Sequence, residues 1–150
     1  LQADREMAAK ALIERDEAVC CDAENFVSVF YPAMDRKRER IVHLYVSDCP
    51  SLVWNGTQVT GQDELCKFIY ALPTSDHNIQ SVDAHRLPPI PQTRDLPEGI
   101  IITVAGTVSF GATSHAFTQI FVLMNEDGKF KVWPGMRHPL PLTLTLGLRP

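Results

Sequence analysis

Apolar residues fall at Val19, Cys20, Ala23, Phe26, Val27, Phe30, Tyr31 and Met34, a spacing that puts them on one stripe of an α-helix. The preceding stretch, Ala3 to Glu17, favours helix but is rich in charge, so the helix should extend loosely toward the N-terminus. Pro32 should kink or end it. Asp35 can then cap a second helix that buries Ile41, Leu44 and Tyr45 and carries Arg36, Lys37, Arg38 and Arg40 in its first turns. Four cations there oppose the helix dipole. They read either as a contact for an acidic partner or as a solvated face beside Asp35 and Glu39.

Leu52-Val53-Trp54 and Thr57-Gln58-Val59 flank Asn55-Gly56, whose tolerance of positive φ predicts a two-residue hairpin. Trp54 should pack beside it. Thr60, followed by Asp63 and Glu64, resembles a cap for a third helix in which Leu65, Phe68, Ile69 and Leu72 share a face before Pro73 stops it. The period then becomes twofold. Ile79 is followed by Val82 and Ala84, and this change of parity predicts a bulge near Gln80-Ser81. Pro88, Pro89, Pro91 and Pro97 form a loop.

Ile100, Ile102, Val104, Val108 and Phe110 share the core face of the next strand. Between Ala116 and Met124, Phe117, Phe121 and Leu123 lie on one face while Ile120, Val122 and Met124 lie on the other, so this strand needs two coverings. Gln119 shares the Phe117 face, and its amide needs a hydrogen-bonded partner if buried. Asp127-Gly128 turns the chain into a last short strand, Lys129 to Trp133. The order implies an α+β fold, three N-terminal helices packed on the concave side of a strongly curved antiparallel sheet. Residues 1–133 are read as the domain and 134–150 as a Pro/Leu-rich tail, in which Leu140 to Leu146 alternates like a strand. The open sheet face is either an interface or covered by that tail.

The chain has 150 residues, 45% of them hydrophobic and 21% charged, enough for one core without metal or disulfide staples. The formal charge of −4 does not supply the basic field that direct nucleic-acid binding needs. Cys20, Cys21, Cys49 and Cys66 form no C-x-x-C pair and read as reduced, intracellular thiols. The start lacks a signal-peptide pattern, and no apolar run is long enough to span a membrane. His43, His77, His115 and His138 are too scattered to converge on zinc, and phosphate-loop, dinucleotide and serine-hydrolase motifs are absent. No cofactor is expected.

Phe26-Val27-Ser28-Val29-Phe30-Tyr31, Met34-Asp35-Arg36-Lys37-Arg38, Leu44-Tyr45, Leu52-Val53-Trp54-Asn55-Gly56 and Leu72-Pro73-Thr74-Ser75, taken in order, resemble the nuclear transport factor 2-like fold. More narrowly, they resemble the nuclear transport factor 2-related export proteins. Phe117 to Leu123 is similar to that family's F-x-Q-x-F-x-L strand, and the resemblance covers about Ala23 to Val132. It implies a non-enzymatic subunit, shuttling between nucleus and cytoplasm. Such a subunit heterodimerises through its sheet face with the matching domain of a nuclear RNA export factor and supports mRNA export through the nuclear pore, reaching nucleoporins through the complex.

On that reading the contact face is Thr103, Ala105, Thr118, Ile120 and Val122. Two alternatives share the fold. A Ran-GDP import factor would use carboxylates where this chain has Asn55 and Gly111-Ala112-Thr113, so Ran ranks below the export factor. An isomerase or dehydratase would need an acid–base group in the cone, for which Tyr31, Asp83 and His85 are the constellation to test. The family's final strand should supply an interface Arg, but here it reads Trp133-Pro134-Gly135-Met136-Arg137, and Pro134 removes a ladder donor.

Overall fold

The computed structural model describes residues 1–48, 50–87 and 99–133, and the backbone of 144–146. Helix α1 (Gln2–Arg36) leads into a 3-10 helix (Arg38–Leu44), the hairpin β1 (Ser51–Trp54) and β2 (Thr57–Thr60), and helix α2 (Gln62–Ala71). Strands β3 (Asp76–Arg86), β4 (Gly99–Phe110), β5 (Thr113–Glu126), β6 (Lys129–Val132) and β7 (Leu144–Leu146) follow. The sheet runs β2-β1-β7-β5-β4-β3, with β6 paired to β5. All pairings are antiparallel except β1 with β7. This is the expected α+β cone of three helices on a sheet. The reading of 134–150 as a tail lies outside the described residues except for β7, as do the proline loop, Arg137 and Cys49.

The core is the apolar stripe of α1 laid on the inward residues of β4 and β5. Phe26 and Phe30 meet the Phe121 ring edge-on at 5.1 and 4.8 Å, and Ile100, Ile102, Val104 and Leu123 close the floor. The first eighteen residues of the chain are exposed. Both predicted turns have their left-handed residues in place, Asn55 and Gly56 at φ 46° and 83°, Asp127 and Gly128 at 53° and 83°. The bulge also stands where the parity changes, the β3–β4 register slipping between Ile79 and Ser81. Opposite it, a Cβ on Gly106 would lie 2.2 Å from the Asn78 carbonyl oxygen, so only glycine allows this approach.

Three local expectations are corrected. Pro32 does not end α1, which runs on to Arg36 because Ala33 and Met34 are buried in the core and outweigh the lost backbone bond. Asp35 therefore belongs to the last turn of α1 rather than capping a second α-helix, and the following segment is 3-10, with Ile41 and Tyr45 buried and Leu44 half-buried. Thr60 ends β2, and the residue before α2 is Gly61 at φ 94°. Arg38 has an internal use. Its guanidinium donates to the carbonyls of Met34, Ile69, Leu72 and Pro73, tying the end of α1 to the C-terminal carbonyls of α2.

Candidate functional site

The β4–β5 ladder sets Thr103 opposite Ile120, Ala105 opposite Thr118 and Ile101 opposite Val122, so the five residues expected at the contact share the face turned away from α1. Thr103, Ala105, Thr118 and Ile120 are half-buried. Val122 differs, being 1% exposed. Together with Val46, Val53 and Met124 it is buried without belonging to the core under α1, so one end of the face is covered already. The rest carries the short side chains of Thr103, Ala105 and Thr118 beside Ile120, which suits a second sheet stacking at roughly 10 Å.

The face has a polar border along β3. Ser81 pairs with Ala105, Asp83 with Thr103 and His85 with Ile101. Asp83 and His85 are 72% and 73% exposed and meet each other, His85 Nε2 lying 3.1 Å from Asp83 Oδ2. An apolar centre bordered by polar groups is the usual anatomy of a protein interface. In the plane of the sheet, β6 and β7 lie along β5, Val132 opposite Leu123 and Thr145 opposite Gln119.

Inside the cone, Tyr31 is buried and its hydroxyl donates to Gln119 Oε1 at 2.6 Å, which gives the buried amide the partner it requires. Burial, aided by Tyr45 and Asp35, pushes the Tyr31 phenol far above its usual range. Tyr31, Asp83 and His85 are not brought together. Tyr31 is a core tyrosine, whereas Asp83 and His85 stand on the solvent side of β3. Trp54 is half-buried against Phe68, ring centres 5.9 Å apart. Asn55 and Gly111 occupy exposed turns.

A pair that sequence reasoning missed joins α1 to β3. Asp35 Oδ1 accepts from Ser75 Oγ at 2.7 Å and lies 2.6 Å from His77 Nδ1, while Oδ2 accepts the His77 backbone N–H at 2.9 Å. Both side chains are 9% exposed. A carboxylate in the last turn of a helix opposes the dipole, and these donors offset that cost. His77 and Tyr31 line a cleft of about 440 Å³ between α1 and β3. No local signal exposes this pairing, because the partners are separated by a hairpin and a helix.

The nuclear transport factor 2 domain model matches residues 23–137. An NTF2-related export protein of Caenorhabditis elegans is 45% identical over 120 residues, 79% of this chain and 86% of that protein. NTF2-related export protein 2 of Mus musculus is 35% identical over 112 residues, 74% and 77% of the two chains. Among solved structures, nuclear transport factor 2 from Cryptosporidium parvum superposes with a TM-score of 0.63 at 25% identity, over 76% of this chain and 88% of that one. A protein of Novosphingobium aromaticivorans assigned as a scytalone dehydratase shares the fold alone, with a TM-score of 0.57 at 15% identity over 79% and 83% of the chains. By sequence over most of its length and by its cone of helices on a curved sheet, the chain belongs to the nuclear transport factor 2 family, among the NTF2-related export proteins.

Proposed function

We propose that this chain is a non-enzymatic adaptor of nuclear export. Its β4–β5 face packs against the nuclear transport factor 2-like domain of a nuclear RNA export factor, and the pair supports mRNA export through the nuclear pore. The observation that carries the reading is the face itself, a half-buried patch of Thr103, Ala105, Thr118 and Ile120 with polar groups along its β3 side. The names of the relatives supply the process. Burying such a patch contributes about 25 cal/mol per Å² of apolar area before association costs are subtracted. The large subunit would provide RNA and pore contacts, since an acidic chain offers phosphate little attraction.

Shuttling between nucleus and cytoplasm follows from this role. Among the described residues no helix is long and apolar enough to cross a membrane. The packed Tyr31–Gln119 centre and the outward Asp83–His85 pair support an adaptor over an acid–base enzyme. Co-expression with the large subunit's domain tests the assignment. Ile120→Glu should abolish co-purification while the circular dichroism and thermal transition of the chain alone stay close to wild type, because the charge becomes desolvated only in the complex. Undiminished co-purification would refute the face.

A further inference from the structure

The four cations that follow Asp35 are put to different uses in the folded chain. Arg38 is committed to the carbonyls that close α2, and Arg36 lines the α1–β3 cleft beside Asp35 and Asp76. Asp35 gives its oxygens to Ser75 and His77, so it forms no ion pair with Lys37 or Arg40. The 3-10 helix arranges what remains. Its three residues per turn stack side chains at i and i+3. Arg38, Ile41 and Leu44 form the inward row, with Ile41 buried and the other two half-buried. Lys37, Arg40 and His43 form an outward row, all three exposed, and the Arg40 backbone N–H donates to the Lys37 carbonyl at 2.9 Å to start it. At a rise of about 2.0 Å per residue, members of this row stand about 6 Å apart. Among the described residues none of the three makes a side-chain hydrogen bond or an ion pair. Glu39 stands on the third row with Val42. The segment packs on α1, α2 and β6 and contributes none of the residues of the β4–β5 face.

We propose that this row docks an extended acidic segment of another polypeptide, one with carboxylates at alternate positions. In an extended chain alternate side chains point to the same side and recur about every 6.6 Å, close to the repeat of the row. Arg40, at the centre, can hold a carboxylate through two parallel N–H donors, with the Lys37 ammonium on one side and the His43 ring on the other. Carboxylates four residues apart on a helix recur at a similar distance. Like charges at that spacing oppose the helix, however, whereas they extend a flexible chain. A phosphodiester backbone has the same sign, but its binding draws on a basic field that a chain of net charge −4 does not supply.

The test is an NMR titration of the isotope-labelled full chain at low ionic strength with two acetylated peptides of equal charge, Asp-Gly-Asp-Gly-Asp and Asp-Gly-Gly-Gly-Asp-Gly-Gly-Gly-Asp, and with a uridine pentanucleotide. The alternating peptide should produce saturable shifts centred on the Lys37, Arg40 and His43 amides that weaken as salt rises. The spaced peptide and the pentanucleotide should each bind about threefold more weakly or less tightly still. Lys37→Ser with Arg40→Ser, both at exposed sites, should weaken the alternating peptide about fivefold and leave the remaining spectrum unchanged. If the double substitution disturbs the spectrum elsewhere, the comparison of the two peptides on the unaltered chain decides. Shifts that fail to saturate or fall on other residues, a spaced peptide or pentanucleotide that binds as tightly as the alternating peptide, or indifference to the double substitution would each overturn the proposal.

Discussion

Tyr31 and Gln119 show how one buried hydrogen bond specifies the centre of the cone. Gln119→Leu leaves the Tyr31 hydroxyl buried without a partner and should cost about 1–3 kcal/mol in urea denaturation. Adding Tyr31→Phe should recover most of that loss, because two apolar groups meeting is far cheaper than one orphaned donor. Glu126 is a carboxylate whose charge is coupled to folding. Hydrogen bonds from Ser47 and Lys131 lower its carboxyl from an ordinary 4.5 to about 2. Its folded-state pKa is depressed, so its contribution is present above about pH 4.5 and disappears as pH falls toward 2. Glu126→Gln should flatten the acid side of the stability profile in that window, as read by thermal melts at stepped pH. The need of Gln119 for a partner is legible in its parity with Phe117 and Phe121. The Asp35–His77 pair is not, because an aspartate after a proline-containing stretch looks locally like a cap and only tertiary packing carries the helix past Pro32.

Elements whose signals are local are the ones that periodicity recovers. Asn55-Gly56 and Asp127-Gly128 fix their turns by backbone conformation alone, and the β3 bulge follows from the step in parity after Ile79. The second helix was legible as an element but not as a type, since a 3-10 turn and a short α-helix bury similar positions. The use of Arg38 in capping α2 depends on two helix ends meeting, which composition cannot reveal. Gly106 shows the same dependence between elements, for its lack of a side chain matters only because the bulge presses Asn78 against β4. Gly106→Ala must push backbone apart and should destabilise the chain by about 1–3 kcal/mol, measured by chemical denaturation. Gly56→Ala, which meets open space, would act only through its positive φ.

At the scale of the whole molecule, one sheet serves two purposes. Its inner face is filled by α1, whereas its outer face keeps Thr103, Ala105, Thr118 and Ile120 half-accessible after Val122 has been covered. A strand apolar on both faces was legible from alternation in β5, but which part of the outer face stays open was not, because the burial of Val122 depends on tertiary packing that alternation does not report. Strand β7 lies in the sheet between β1 and β5 rather than across it, so its backbone completes the ladder. The most direct test is the mass of the purified chain by size-exclusion light scattering, alone and mixed with the nuclear transport factor 2-like domain of its species' nuclear RNA export factor. A one-to-one complex that Ile120→Glu prevents is the predicted result. A chain that keeps the same mass with and without that domain would contradict the account.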